Sequence, residues 1–232
     1  MPDLKETAVA PIPVSPAPRE TLQDFVYAKV KALILNGELE PGRTITMRSL
    51  ATAFSVSHMP VREALQRLTA ERALTLVAGR SMGIPPLSIE RLEDFRRVRL
   101  EVEGLAAAWS AAHIDGARLP DLEQICAELD RAVAAGDVRS YLRHNCALHF
   151  GVYRGAGSPT LMSMIEPLWL QISPYFSLLH GSGNYIEANR CHRAMIEALR
   201  RRDAEAVRAA VRADIEASTA GLRTLLRPAP PG

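Results

Sequence analysis

Between Ser57 and Leu68 the apolar residues Val61, Ala64, Leu65 and Leu68 recur at i, i+3, i+4 and i+7, the period of a helix with one buried stripe. With Ser57 as N-cap, Pro60 falls in the first turn, where its missing N–H has no helical partner to lose. Ser57, His58, Met59 and Arg62 gather at the head of this helix, which is thereby free to meet a partner. Unpaired N–H groups, a hydroxyl and a guanidinium suit an anion, and phosphate is the anion such ends meet most often. Upstream, Thr46 is placed to cap a short helix from Met47 to Phe54, with Leu50 and Phe54 on one face and Ser55-Val56 as a tight turn. That spacing predicts a helix-turn-helix. A further helix opens at Thr21-Leu22-Gln23-Asp24, a capping-box pattern with Asp in place of Glu or Gln. It runs through Leu22, Val26, Val30, Leu33 and Ile34 and ends near Asn36-Gly37. Leu74 to Val77 and Ser81 to Ile84 read as two short strands around Ala78-Gly79-Arg80, a hairpin wing after the second helix of the pair.

Pro85-Pro86 halts this pattern, and Ser88 can cap a new helix. Helical periods then continue to Leu226. Leu92, Phe95, Val98, Val102, Leu105 and Ala106 mark a long first helix; Leu119 to Ala135 and Val138 to Arg154 follow. A fourth helix from Ser158-Pro159 toward His180 is expected to kink at Pro167 or Pro174, and Tyr185 to Arg201 and Ala204 to Leu226 supply two more. The expected fold is mainly α: a winged helix-turn-helix over residues 21–86, then an all-α six-helix bundle over 87–226. The proline-rich stretches 1–20 and 227–232 are expected to be disordered tails.

Composition narrows the class without naming it. A chain of 232 residues that is 47% hydrophobic and 23% charged can bury a real core. It has no apolar run near the ~20 residues of a membrane span and no signal-peptide layout, so a cytoplasmic protein is expected. Cys126, Cys146 and Cys191 are widely spaced, and reduced thiols are the expectation. The net charge of +2 does not by itself imply nucleic acid, so the placement of arginines must carry that inference.

Within the bundle, Asn145 and His149 lie four apart on one helix face, with His192 on the fifth helix and Asp214 on the sixth. Imidazole and carboxylate groups from facing helices can hold a divalent transition metal and leave positions open for a ligand. The plainer alternative is a set of solvated polar faces. A metal-dependent enzyme using His149, His192 and Asp214 to activate water is the competing function. Against it stand the fused DNA-binding pattern and the lack of a clear general base or glycine-rich phosphate cradle.

From Thr21 to Leu226 the chain resembles the GntR-type bacterial transcription regulators, in the FadR subfamily whose C-terminal domain is called FCD. The resemblance rests on Leu35-Asn36-Gly37-Glu38-Leu39-Glu40-Pro41-Gly42, on Ser57-His58-Met59-Pro60-Val61-Arg62-Glu63-Ala64-Leu65, and on Val98-Arg99 followed by Glu103-Gly104-Leu105-Ala106-Ala107. It implies that Arg48, Ser57 and Arg62 contact operator DNA, with His58 and Met59 where the family has Arg and Thr. A histidine cannot reproduce the two-bond contact of arginine with guanine, so the resemblance implies a changed base preference there. Arg80 and Gly83 match wing positions beside the minor groove, and Arg72-Ala73 replaces a usual Gly-Leu. The family's metal set of Asp and three His reads here as Asn145, His149, His192 and Asp214: either a compensating swap that still takes zinc, nickel or manganese, or a decayed site in which Asn145 bonds His149 or a ligand. Arg99 matches an arginine that can face the effector, holding a carboxylate bidentately; the alternative is an i, i+4 pair with Glu103 on a surface or interface. The implied function is that of a homodimeric repressor bound to an inverted repeat of double-stranded DNA and released by a small carboxylate.

Overall fold

A computed structural model of the chain describes residues 21–79, 81–114 and 118–227. The expected tails, apart from Arg227, and the wing residue Arg80 lie outside the described residues. Helix α1 (Leu22–Leu35) begins at Thr21, whose hydroxyl accepts the Asp24 N–H at 3.1 Å and donates to the Asp24 carboxylate at 2.7 Å. Val26, Val30 and Ile34 form its buried face, while Leu22, expected on that face, is exposed at the first turn. Helix α2 (Met47–Phe54) has a reciprocal capping box between Thr46 and Ser49, and ends at Ser55 with φ of 54°. This left-handed residue makes the tight turn into α3 (His58–Ala70), which buries Val61, Ala64, Leu65 and Leu68 as the period requires.

The wing is larger than the predicted hairpin. Strands β2 (Thr75–Ala78) and β3 (Ser81–Gly83) pair antiparallel, and a third strand, β1 (Thr44–Thr46), pairs with the other edge of β3. Thr-Ile-Thr was too short to stand out from the turn before α2, and its pairing is a long-range event that periodicity does not report. Gly83 is buried on the central strand; a Cβ there would lie 2.9 Å from Val77 Cγ2 and 3.1 Å from the Arg43 carbonyl oxygen. Its structural role is therefore to let three strands approach closely at the base of the wing.

The rest is helical: α4 (Ile89–His113), α5 (Arg118–Ala135), α6 (Val138–Arg154), α7 (Pro159–Ile172), α8 (Asn184–Arg200) and α9 (Ala204–Leu226). Side chains of Ser88, Asp137, Ser158 and Asp203 cap α4, α6, α7 and α9. The predicted fourth helix ends early. Helix α7 runs through Pro167, and Ser173–Leu179, with Pro174 in its first turn, winds as a 3-10 helix. Helices α4 and α8 pack along α9, and α5 packs on α6.

This 3-10 segment and its neighbours join the two parts of the chain. Ser173 Oγ donates to the Ile34 carbonyl at the end of α1 (3.4 Å), and the Tyr175 hydroxyl donates to the Pro85 carbonyl in the linker. Lys31 on α1 pairs with Glu166 on α7. Gly37, with φ of 68°, packs so closely on Leu142 of α6 that a Cβ would fall 2.5 Å from its Cδ1.

Candidate nucleic-acid interface and metal centre

Arg48, Ser57, His58, Met59 and Arg62 are all exposed. Ser57 occupies the N-cap position of α3 but makes no side-chain cap bond, so its hydroxyl is free for another acceptor or donor. Arg62 Nη2 donates to Met59 Sδ at 3.0 Å, and neither Arg48 nor Arg62 has an ion-pair partner among the described residues. Arg67, one turn further along α3, is already committed. It lies 3.7 Å over the Tyr27 ring and pairs with Glu71 at 3.3 Å, while the Tyr27 hydroxyl donates to Glu71 at 2.9 Å. Cations at the head of α3 are thus available and those at its tail anchor α1, which is the division a DNA-reading helix needs.

Inside the bundle, α6 supplies His149 and Tyr153, α8 supplies His192 and Asn189, and α9 supplies Asp214. His149 Nε2 is 3.2 Å from His192 Nε2, and the two are 3.4 and 3.5 Å from the Asp214 oxygens. Hydrogen bonds behind the rings fix where their protons sit. The Tyr153 hydroxyl donates to Glu103 at 2.6 Å and so accepts from His149 Nδ1–H at 2.9 Å. Asn189 donates its amide to Asp130 at 2.8 Å, which turns its oxygen toward His192 Nδ1 at 3.3 Å. Both Nε2 atoms then carry lone pairs, and they face each other and a carboxylate. Three electron-pair donors converging without a proton between them repel one another unless a cation joins them, and imidazoles held this way from behind are characteristic of metal ligands. The donor set therefore fits a divalent transition metal.

Electrostatics point the same way. Burial pushes His149 down to about 3, with His192 and Arg99 adding to the effect and Asp214 opposing it, so the ring stays neutral. Burial works against ionisation of Asp214, but nearby positive charge, that of Arg99 included, outweighs it and holds the carboxyl below the usual range. Burial and Glu103 keep the Tyr153 proton in place, as its donor role requires. Burial likewise raises the free thiols Cys146 and Cys191, to about 12 and about 11.

The Arg99–Glu103 pair does form, but in the core and not on a surface. Nε meets Oε1 at 2.5 Å and Nη2 meets Oε2 at 3.2 Å, with both side chains almost fully buried. Both bonds to Glu103 run from Nε and Nη2 of Arg99, and Nη1 makes no hydrogen bond among the described residues. A small cavity of about 20 Å³ lies against Arg99, Tyr141, Asn145, Trp169, Phe176 and Asp214. Asn145 thus lines the cavity beside the cluster, while His149 turns Nδ1 to Tyr153 and Nε2 to His192, and neither nitrogen bonds Asn145. The Tyr141 hydroxyl and Trp169 Nε1 are buried without a partner among the described residues, an unusual pair of donors for a finished core. Sequence reasoning missed Tyr153, Asn189, Tyr141 and Trp169. Tyr153 follows His149 by four and Asn189 precedes His192 by three, so helical spacing carried a signal for those two.

A model for "bacterial regulatory proteins, gntR family" matches residues 22–84, and a model for the FCD domain matches residues 94–217. The HTH-type transcriptional regulator McbR of Escherichia coli is 28% identical over 175 residues, 74% of this chain and 79% of that protein. The HTH-type transcriptional repressor GlaR of the same organism is 27% identical over 152 residues, 62% of this chain and 67% of that protein. The solved structure of Escherichia coli McbR/YncC superposes with a TM-score of 0.82 at 25% identity, covering 89% of this chain and 99% of that one.

Proposed function

The chain belongs to the GntR family of bacterial regulatory proteins and carries an FCD domain, and from that premise we propose that it is a homodimeric repressor released from an inverted-repeat operator by a small carboxylate. Residues 21–86 read DNA and residues 87–226 bind the effector and the second copy, in the cytoplasm. Helix α3 enters the major groove, with Ser57, His58, Met59 and Arg62 toward bases and phosphates, Arg48 bracing from α2, and Arg80 adding a cation to the wing. His149, His192 and Asp214, with Asn145 beside them, would hold zinc, nickel or manganese. Bound there, the ion would offer a Lewis-acidic position to a carboxylate oxygen. Arg99 Nη1 and the donors of Tyr141 and Trp169 orient that carboxylate. The matched models and relatives are transcriptional regulators, which favours this reading over a metal-dependent enzyme built on the same three residues.

The observation that carries the reading is the physical link between cavity and DNA-reading module. Phe176 lines the cavity, while Ser173 and Tyr175 of the same 3-10 segment hold the end of α1 and the linker. A ligand that prefers one position of this segment shifts the arrangement of the winged helices by its difference in affinity. Selection of bound duplexes from a random pool tests the DNA half, and titration of the selected operator complex with small organic acids tests the release half. Failure to enrich any symmetric sequence would refute the proposal.

A further inference from the structure

The cavity against Asp214 and Arg99 is too small for a whole organic acid, since about 20 Å³ holds one water or one ion. Across its wall lies a second, wider chamber of about 320 Å³, within the range of small-molecule pockets. Tyr141, Leu179 and Tyr185 line both spaces and so form the partition between them. The outer chamber is mostly apolar, with Ala132, Val133, Val138 and Ile186 among its walls, and Asp137 and His180 also line it. Tyr141 and Tyr185 stack with centroids 3.9 Å apart and planes 14° apart, and the Tyr141 hydroxyl is the buried donor that lacks a partner. An unpaired donor in the partition is satisfied when an acceptor passes through it.

Building on the carboxylate reading above, we infer that the effector is an amphiphilic acid: its carboxylate reaches the histidine cluster and Arg99, the Tyr141 hydroxyl donates to it, and its apolar tail fills the outer chamber. A short hydrophilic acid would leave that chamber unused, so affinity is expected to grow with tail length. Each methylene taken from water into an apolar wall is worth about 0.8 kcal/mol, or about fourfold in affinity.

The test is calorimetric titration of zinc-loaded full-length protein with straight-chain carboxylates from two to ten carbons. The expected result is a rise of about fourfold per methylene that levels off once the chamber is full. In Ile186→Trp the indole occupies the chamber and the rise is lost, while acetate and zinc affinities stay unchanged. Ile186 is 61% exposed, so this variant is expected to fold. Val133→Phe, on α5, provides a second filled chamber. Binding that is independent of tail length, or a rise that survives both substitutions, would overturn the tail site while leaving the carboxylate reading intact. Loss of binding for every acid in zinc-loaded protein would overturn both.

Discussion

Replacing Tyr153 by Phe removes one oxygen that does two things: it donates to Glu103 at 2.6 Å and accepts the His149 Nδ1 proton at 2.9 Å. Glu103 keeps its two bonds to Arg99, but His149 is left with a buried N–H and no fixed tautomer. An unsatisfied buried donor costs ~1–3 kcal/mol, so the variant should unfold at lower denaturant concentration yet remain folded in buffer. The larger diagnostic is metal affinity. Partners behind a metal-bound imidazole are typically worth 10–100-fold in affinity, about 1.4–2.7 kcal/mol, because they hold the Nε2 lone pair toward the ion. Competition with a chromophoric chelator for zinc, nickel and manganese measures this directly, with near-ultraviolet dichroism as the check on folding. His149→Ala should lose the ion altogether, and Tyr153→Phe should fall between it and the parent. Metal affinity within about twofold of the parent in a folded Tyr153→Phe protein would refute the tautomer argument, whatever happens to stability.

Three further outcomes are expected. Arg62→Ala should weaken operator binding by ~1–3 kcal/mol without lowering thermal stability, since the side chain is exposed and its hydrogen bond among the described residues is to Met59; equal affinity in a folded protein defeats its assignment. Gly83→Ala should lower the denaturant midpoint by ~1–3 kcal/mol of stability because its Cβ meets the Arg43 carbonyl, and an unchanged midpoint would show that the wing yields easily. Tyr175→Phe cuts the bond from the 3-10 segment to the Pro85 carbonyl, so ligand affinity should persist while the ligand's effect on operator affinity shrinks; the same operator-affinity ratio with and without ligand in variant and parent would place the coupling elsewhere.

What the sequence carried and what it hid divide along the range of the interactions. Helix starts were legible because caps act within three residues: Thr46, Ser88 and Ser158 cap where a local rule puts them, and Ser57 holds its N-cap position without a cap bond. Strand β1 was hidden because its partner β3 lies almost forty residues on, and three residues of Thr-Ile-Thr carry no period of their own. In the bundle, spacing brought out His149, His192 and Asp214 as a possible set, yet spacing is equally compatible with solvated faces. What distinguishes the two is the second layer of contacts, Tyr153 to Glu103 and Asn189 to Asp130, each of which crosses between helices. The same layer changes the meaning of Arg99. An i, i+4 pair on an exposed helix is worth a few tenths of a kcal/mol, whereas this pair is buried and would leave an uncompensated charge if either partner were lost. A buried ion pair, converging lone pairs and two donors without partners among the described residues lie side by side in this core, and the proposed anion held through a cation would satisfy all of them together.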